Sequence, residues 1–111
     1  MFDPHLPHVA VIDERTQESS SIFTLRLQYE DTGMQDAFEF VPGQFNMVTL
    51  FGVGEIPISI VNDPLDSHFF DHTIRVVGRV SEGMSKLQPG DRIGIRGPFG
   101  RGWPMERIKG Q

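Results

Sequence analysis

The stretch from Pro42 to Ile60 constrains the fold more than any other part of this chain, because it holds two short apolar runs separated by a glycine-bearing turn. Pro42-Gly43 is a turn signal. The first run then alternates with a period of two, which is typical of a strand. One face holds Phe45, Met47, Thr49 and Phe51, and the other holds Asn46, Val48 and Leu50. The two runs predict strands at residues 45–51 and 56–61.

Four further segments have strand patterns bounded by polar or turn residues. These predicted strands span residues 8–13, 21–28, 73–80 and 92–96. Residues 30–39 are polar and are interpreted as a loop, and residues 81–87 are the one helical turn, with Ser81 as its N-cap. Six short strands with one short helix predict an all-β fold, an antiparallel barrel or sandwich.

Composition limits the classes of function. A chain of 111 residues has the length of one small domain. The net charge of −5 argues against nucleic-acid binding, since nucleic-acid-binding proteins usually carry a basic patch. The chain has no cysteine, which excludes disulfides and thiolate metal sites from it. The N-terminus lacks the pattern of a signal peptide, and no apolar run approaches the roughly 18 residues of a membrane span. We therefore expect a cytoplasmic protein with no membrane partner.

The four histidines do not form a recognisable metal-binding pattern. His5 and His8 are separated by Pro7, and no acidic or sulfur ligand lies at a suitable spacing. His68 and His72 lie in or beside a predicted loop, where we expect them to be solvated. The sequence predicts no metal site.

The stretch from Gly78 to Ser85 is the clearest candidate for chemistry. A strand runs into a short helix that contains glycine and serine, and free amides at a helix start bind anions. Arg75 and Arg79, on one face of the predicted strand, would neutralise a phosphate or remain solvated surface charges. From the residues alone, a capped connector is the simpler interpretation.

A series of motifs in a fixed order resembles a known family. The order is Pro-Gly-Gln-Phe, a Pro-x-Ser strand, Val-Gly-Arg-Val-Ser, a short helix, Leu-x-Pro-Gly-Asp and Gly-Pro-Phe-Gly. This order resembles the flavin-binding barrel of the ferredoxin–NADP reductase superfamily, over about residues 8–104. The resemblance is closest to the gamma (diaphorase) subunit of nickel–iron hydrogenases and sulfhydrogenases. It implies a six-stranded antiparallel Greek-key barrel with one short helix.

The resemblance also implies a cofactor and the residues that hold it. The cofactor is FAD, with FMN as the alternative. Ser59 would lie near the reactive N5 of the flavin ring, and the helical residues would hold the pyrophosphate. Gly97-Pro98-Phe99-Gly100 would lie near the interface with a nucleotide-binding domain. The implied cofactor-binding residues are Ile56, Pro57, Ile58 and Ser59, then Arg75, Val76, Val77 and Gly78, then Gly83, Met84 and Ser85.

Two departures from the family pattern stand within this set. Ile56 takes the place of the family's arginine, and Ile58 takes that of an aromatic residue that often stacks on the flavin. The hydrogenase-type branch often lacks this arginine as well. Both changes imply weaker binding and leave the choice between FAD and FMN open.

The function implied by the resemblance is that of one domain of a redox enzyme. Residues 1–111 would form the FAD-binding barrel of an NAD(P)H-dependent flavin oxidoreductase subunit, with the C-terminal NAD(P)-binding domain absent from this chain. Electrons would pass between NAD(P)H, the flavin and an iron–sulfur or hydrogenase partner, and the chain alone would not turn over NAD(P)H. The alternative is a cofactor-free β-barrel that serves as a protein–protein docking module.

Overall fold

A computed structural model describes residues 6–62 and 69–100 of the chain. The strands and helices follow in chain order: β1 (His8–Gln17), β2 (Ile22–Tyr29), α1 (Thr32–Ala37), β3 (Phe45–Leu50), β4 (Gly54–Ser59), β5 (Phe70–Arg75), α2 (Arg79–Ser85) and β6 (Arg92–Phe99). The six predicted strands are all present, although several of their ends differ. β1 continues past its predicted end, because a bulge after Ile12 lets it stay paired with β2 as far as Gln17.

The six strands form one antiparallel sheet in the order β4-β3-β6-β1-β2-β5. β6 lies between β3 and β1, whereas β5, which precedes it in sequence, lies at the edge of the sheet. The connection from β5 to β6 is therefore the long return connection of a Greek key. The edge strands β4 and β5 approach each other through one bridge between Ile60 and His72. The Val61 amide also donates to the Asp71 carbonyl at 3.1 Å. The predicted all-β barrel is confirmed.

We call the junction of β4 with β5 the seam, formed by residues 56–61 on one side and residues 71–76 on the other. It is the place where the sheet curls back on itself, and only a short part of it carries backbone hydrogen bonds within the described residues. Edge strands leave backbone groups unpaired, so the rest of the seam can receive a ligand.

The interior is filled from the inward faces of the strands. β2 contributes Phe23, Leu25 and Leu27, which are all fully buried, as their alternation predicts. At one end of the barrel, Phe38 and Phe70 lie 4.8 Å apart between ring centroids. These side chains come from β2, β5 and the end of α1, so the core packs these three elements together.

The helix α1 replaces the loop predicted over residues 30–39, and that part of the prediction is wrong. Asp31 caps the helix, since its side chain accepts a hydrogen bond from the Met34 amide at 3.1 Å. Gln35 is buried, and its side-chain oxygen accepts from the Tyr29 amide at 2.8 Å. The polar residues here satisfy backbone groups, which a reading by hydrophobicity alone overlooks.

The strand predicted over residues 73–80 and the helix predicted over residues 81–87 are also wrong in their bounds. β5 ends at Arg75, and α2 begins at Arg79 with Gly78 as its N-cap. Ser81 is therefore not the N-cap but the third residue of the helix. Its hydroxyl accepts from the amides of Val77 and Gly78 at 2.9 and 3.1 Å. These bonds turn the chain out of the sheet, so Arg75 and Arg79 do not share a strand face.

Candidate functional site

The seam brings together two of the three stretches predicted to hold a cofactor. Residues 56–59 belong to β4, and residues 75–78 complete β5 and lead to α2. The antiparallel bridge between Ile60 and His72 sets the direction of the two strands. From that bridge, the strand directions bring residues 56–59 toward residues 73–76. Segments that are far apart in sequence therefore meet at one edge of the barrel.

The outward face of this edge carries apolar surface. Ile56 and Ile58 are half-buried and pack against the core, whereas Pro57 and Ser59 are exposed. Val77, just after β5, is 79% exposed. An apolar side chain so exposed next to a partly apolar strand suits a flat ring laid over it.

The backbone of β4 presents its polar groups to two sides. The Ile60 amide donates to the Gln44 carbonyl at 3.0 Å, on the β3 side. Backbone directions alternate along a strand, so the amide and carbonyl of Ser59 point into the seam. Pro57 faces the same way, and it has no amide hydrogen to leave unpaired. The Ser59 amide is thus a donor aimed at whatever occupies the seam.

Behind the seam lies a buried polar pair. His72 is fully buried, so the expectation that it is solvated is wrong. β5 extends through its position and turns the imidazole inward, where Nε2 lies 3.1 Å from Nδ2 of Asn46 and Nδ1 lies 3.0 Å from the Ser59 carbonyl. Burial lowers the pKa of His72 to about 4. The ring is therefore neutral at physiological pH.

The third predicted stretch lies in the last turn of α2. Met84 is fully buried, and the Ser85 hydroxyl donates to the Glu82 carbonyl at 2.6 Å. Gly83 packs so closely that an added Cβ would lie 2.5 Å from Cδ2 of Leu50. Of the three predicted residues, Gly83 is the one that lines a cleft.

That cleft is open, has a volume of about 440 Å³, and separates α2 from the β3–β4 turn. Two cations and one carboxylate contribute to it, so its charge favours an anion. The lining residues are Val53, Gly78, Arg79, Glu82, Gly83 and Lys86. Lys86 is not among the residues predicted from the sequence. The signal that could have found it is the spacing of Arg79, Gly83 and Lys86, which follows one face of a helix.

An ion pair between Glu55 and Arg96, also not predicted from the sequence, stabilises β4. The Glu55 carboxylate accepts from Nε and Nη2 of Arg96 at 2.8 and 2.7 Å, and from the Thr49 hydroxyl at 2.9 Å. The Arg96 guanidinium lowers the pKa of Glu55. Because these residues belong to β4, β6 and β3, the contact ties the edge strand to its neighbour β3 and to β6, the strand beyond it.

The Pro-Gly-Gln-Phe and Gly-Pro-Phe-Gly motifs meet at the end of β6. The Gln44 side-chain nitrogen donates to the Gly100 carbonyl at 2.8 Å, and its oxygen accepts from the Val41 amide at 2.9 Å. The rings of Phe45 and Phe99 lie 5.7 Å apart. Gln44 thus holds the point where the chain leaves the barrel, and an interdomain role for Gly97-Pro98-Phe99-Gly100 stays a prediction.

Two of the histidines, His5 and His68, and the segment 101–111 lie outside the described residues. Over residues 6–62 and 69–100, no group of three or more His, Asp or Glu side chains is placed to hold a metal ion. In the same part of the chain, no helix is long and apolar enough to cross a membrane.

Comparison with known proteins connects this geometry to a family. Residues 9–103 match the family described as "Oxidoreductase FAD-binding domain". The chain belongs to this family. The resemblance to the flavin-binding barrel and the prediction of FAD as the cofactor are thereby confirmed. Membership makes the chain a component of a redox enzyme.

Curated relatives agree with this assignment. The chain is 41% identical to sulfhydrogenase 1 subunit gamma of Pyrococcus furiosus, over 84% of this chain and 31% of the relative. It is 37% identical to a probable dihydroorotate dehydrogenase B (NAD(+)), electron transfer subunit, of Methanocella arvoryzae, over 89% of this chain and 34% of the relative. The FAD-binding domain thus spans about a third of the length of these relatives.

Solved structures show the same fold. Ferredoxin-NADP+ reductase from Plasmodium falciparum with 2'P-AMP has a TM-score of 0.75 at 14% identity, over 99% of this chain and 45% of that chain. The structure of an NADH-dependent reduced ferredoxin-NADP oxidoreductase has a TM-score of 0.71 at 23% identity, over 84% and 33% of the two chains. These likenesses extend to the fold of the FAD-binding domain.

Proposed function

We propose that this FAD-binding domain serves an NAD(P)H-linked electron-transfer subunit, and that the flavin ring lies along the seam. The observation that carries the proposal is the meeting of residues 56–59 and 75–78 at one exposed edge, in a chain of the FAD-binding family. The names of the relatives support the electron-transfer role, since they are a hydrogenase gamma subunit and an electron transfer subunit.

The residues at the seam fit a flavin in shape and chemistry. Pro57 and Val77 supply exposed apolar surface for the ring, half-buried Ile58 anchors the strand to the core, and the Ser59 hydroxyl and amide supply donors at the ring's polar edge. When bound, FAD would accept a hydride from NAD(P)H and pass the electrons on singly. The protein's part is to fix the ring, exclude water from one face and place these donors.

The cleft beside α2 fits the phosphate portion of the cofactor. Arg79 and Lys86 bring positive charge to it, and Gly83 lies between them on the same face of α2. With Met84 buried and the Ser85 hydroxyl bonded to Glu82, we propose that Gly83 is the member of the predicted trio that contacts the pyrophosphate. Ile56 leaves the β4 side without a cation, so Arg79 takes the role of counter-charge.

We further propose the wider setting of this domain. NAD(P)H would bind to a separate C-terminal domain, and an iron–sulfur or hydrogenase subunit would exchange electrons with the flavin. The proposed location is the cytoplasm. The proposed domain and partners rest on the names of relatives of which this chain covers about a third.

A cofactor-free docking barrel is the rival function. The exposure of Val77 would also suit a protein partner, so surface chemistry alone does not separate the two functions. Membership of an FAD-binding family favours the flavin. The two functions differ directly in whether the chain binds a flavin in solution.

Titration of the chain with FAD and, separately, FMN, followed by flavin fluorescence, tests the proposal. We expect saturable binding that favours FAD, and an FAD dissociation constant raised about tenfold in Ser59→Ala, as for the loss of one hydrogen bond. Ser20→Ala is the matched control, because Ser20 is an exposed serine in the β1–β2 turn, outside the seam. Absence of binding to either flavin would contradict the proposal.

A further inference from the structure

We propose that His72 is a positioning residue, which holds the Ser59 carbonyl from inside the barrel and so sets the position of the flavin-binding strand. This inference rests on the proposed function, because it assigns His72 a role through Ser59. The contacts that carry it are Nδ1 of His72 to the Ser59 carbonyl at 3.0 Å and Nε2 of His72 to Nδ2 of Asn46 at 3.1 Å.

Only one placement of the hydrogens satisfies the triad of Ser59, His72 and Asn46. The Ser59 carbonyl can only accept, so Nδ1 of His72 carries the hydrogen and donates it. Nε2 is then unprotonated and accepts from the amide of Asn46. A flipped Asn46 would present its oxygen to Nε2 and leave two acceptors facing each other. Asn46 thus selects the tautomer that donates to Ser59.

The seam gives this hydrogen bond its importance. Over the described residues, β4 and β5 are joined by the Ile60–His72 bridge and by the bond from the Val61 amide to the Asp71 carbonyl. Since the Ile60 amide donates to Gln44, this bridge consists of the Val61–Asp71 bond and a bond from the Thr73 amide to the Ser59 carbonyl. The His72 imidazole adds a side-chain donor to that same carbonyl, at the point where the strands begin to part.

The surroundings of His72 keep the imidazole neutral and fixed. β3 contributes Asn46, and the end of β4 contributes the Ser59 carbonyl. The neighbouring Asp71 is the charged group that acts on the ring, but its carboxylate is held by Arg26 through two 3.0 Å hydrogen bonds. The Phe70 ring packs edge-on at 5.9 Å. Full burial favours the neutral ring, which the triad requires.

Two substitutions separate the two nitrogens of the imidazole. In His72→Asn, the side-chain amide lies near the place of Nδ1 and can still donate to the Ser59 carbonyl. In His72→Gln, the longer side chain reaches the place of Nε2 and can contact Asn46 instead. Both replace a buried ring with an amide, and the shorter Asn leaves the larger cavity, so His72→Asn should be the less stable of the two. Ile60→Val is the control, because it loosens the same seam without touching the hydrogen bond to Ser59.

The experiment measures the FAD dissociation constant and the free energy of unfolding for each variant. We expect about a tenfold weaker FAD affinity in His72→Gln, and affinities within about twofold of wild type in His72→Asn and Ile60→Val. FAD affinity would then follow the Ser59 contact rather than stability. Comparable loss in His72→Asn and His72→Gln, or loss that tracks unfolding free energy across all three variants, would overturn the positioning role.

The wild-type titration separates this inference from the function on which it rests. If wild type binds no flavin, the proposed function fails and the role of His72 fails with it. If wild type binds FAD and Ser59→Ala weakens the binding while His72→Gln does not, the proposed function stands and the inference about His72 alone is overturned.

Discussion

Gly97 lies where β6 passes closest to the buried amide of Asn46. Its φ of +141° falls in a region that favours glycine, and an added Cβ would lie 2.5 Å from Oδ1 of Asn46. Gly97→Ala should therefore lower the free energy of unfolding by roughly 3 kcal/mol, from backbone strain and the clash together. Chemical denaturation followed by tryptophan fluorescence or circular dichroism measures the change.

Gly90→Ala is the matched control for Gly97→Ala. Gly90 also has a positive φ, of +94°, but no heavy atom lies within 4 Å of the place where its Cβ would be. It should lose only about 1 kcal/mol, the cost of the backbone conformation. If both variants lost the same free energy of unfolding, the close approach to Asn46 would contribute nothing to the effect of Gly97→Ala.

His72 makes the stability of the domain depend on pH. Its pKa is about 4 in the folded chain, against an ordinary value near 6.5. Above pH 6.5 the ring is neutral in both states. As pH falls from 6.5 to 4, His72 binds a proton in the unfolded chain but stays neutral in the folded chain. The free energy of unfolding should therefore fall by roughly 3 kcal/mol across this window and level off below it.

Carboxylates also titrate at the acid end of this window, so the measurement is a difference between two proteins. Glu55, whose pKa is lowered by Arg96, stabilises the fold above its unfolded pKa and loses that effect as pH falls further. Denaturation of wild type and His72→Gln between pH 7 and 4 isolates the histidine. Parallel curves for the two proteins would show that His72 is not the source of the pH dependence.

At the scale of elements, the start of α2 depends on one hydroxyl. Ser81 is buried, accepts from the amides of Val77 and Gly78, and donates to the Gly78 carbonyl at 3.1 Å. Ser81→Ala should cost about 1–2 kcal/mol, in the range of a lost helix cap, and should speed amide exchange at residues 77–80. Exchange detected by mass spectrometry reports both the size and the place of the change.

Ser85→Ala provides the comparison for this element. The Ser85 hydroxyl donates to the Glu82 carbonyl at 2.6 Å in the last turn of the same helix, away from its start. Its loss should cost less than about 1 kcal/mol and leave exchange at residues 77–80 unchanged. If Ser85→Ala opened the start of α2 as strongly as Ser81→Ala, Ser81 would not be the residue that sets it.

The strands were predictable because their burial follows their own sequence. The alternation in β2 places Phe23, Leu25 and Leu27 inward, and the structure buries all three. The bounds of the helices were harder to predict from the local hydrophobic pattern. α1 depends on the capping bond of Asp31 and the buried side chain of Gln35, and the start of α2 depends on Ser81. In each case a hydrogen bond to the backbone, rather than hydrophobic spacing, decides the structure.

At the scale of the whole molecule, the site is a product of topology. Motif order was enough to indicate residues 56–59 and 75–78, but not that they flank one seam, which depends on how the Greek key returns β5 to β4. The pair of Asn46 and His72 was not visible for the same reason. Asn46 sits within an apolar run and His72 beside a predicted loop, and only the curled sheet brings them within 3.1 Å.

The central claim is that FAD binds along the seam, and amide hydrogen exchange with and without FAD tests it most directly. Bound FAD should slow exchange in peptides that cover residues 56–61 and 73–80, and leave the β1–β2 hairpin unchanged. That result would locate the cofactor on the edge strands that His72 holds together. Protection confined to other strands, with FAD shown to be bound, would contradict the claim.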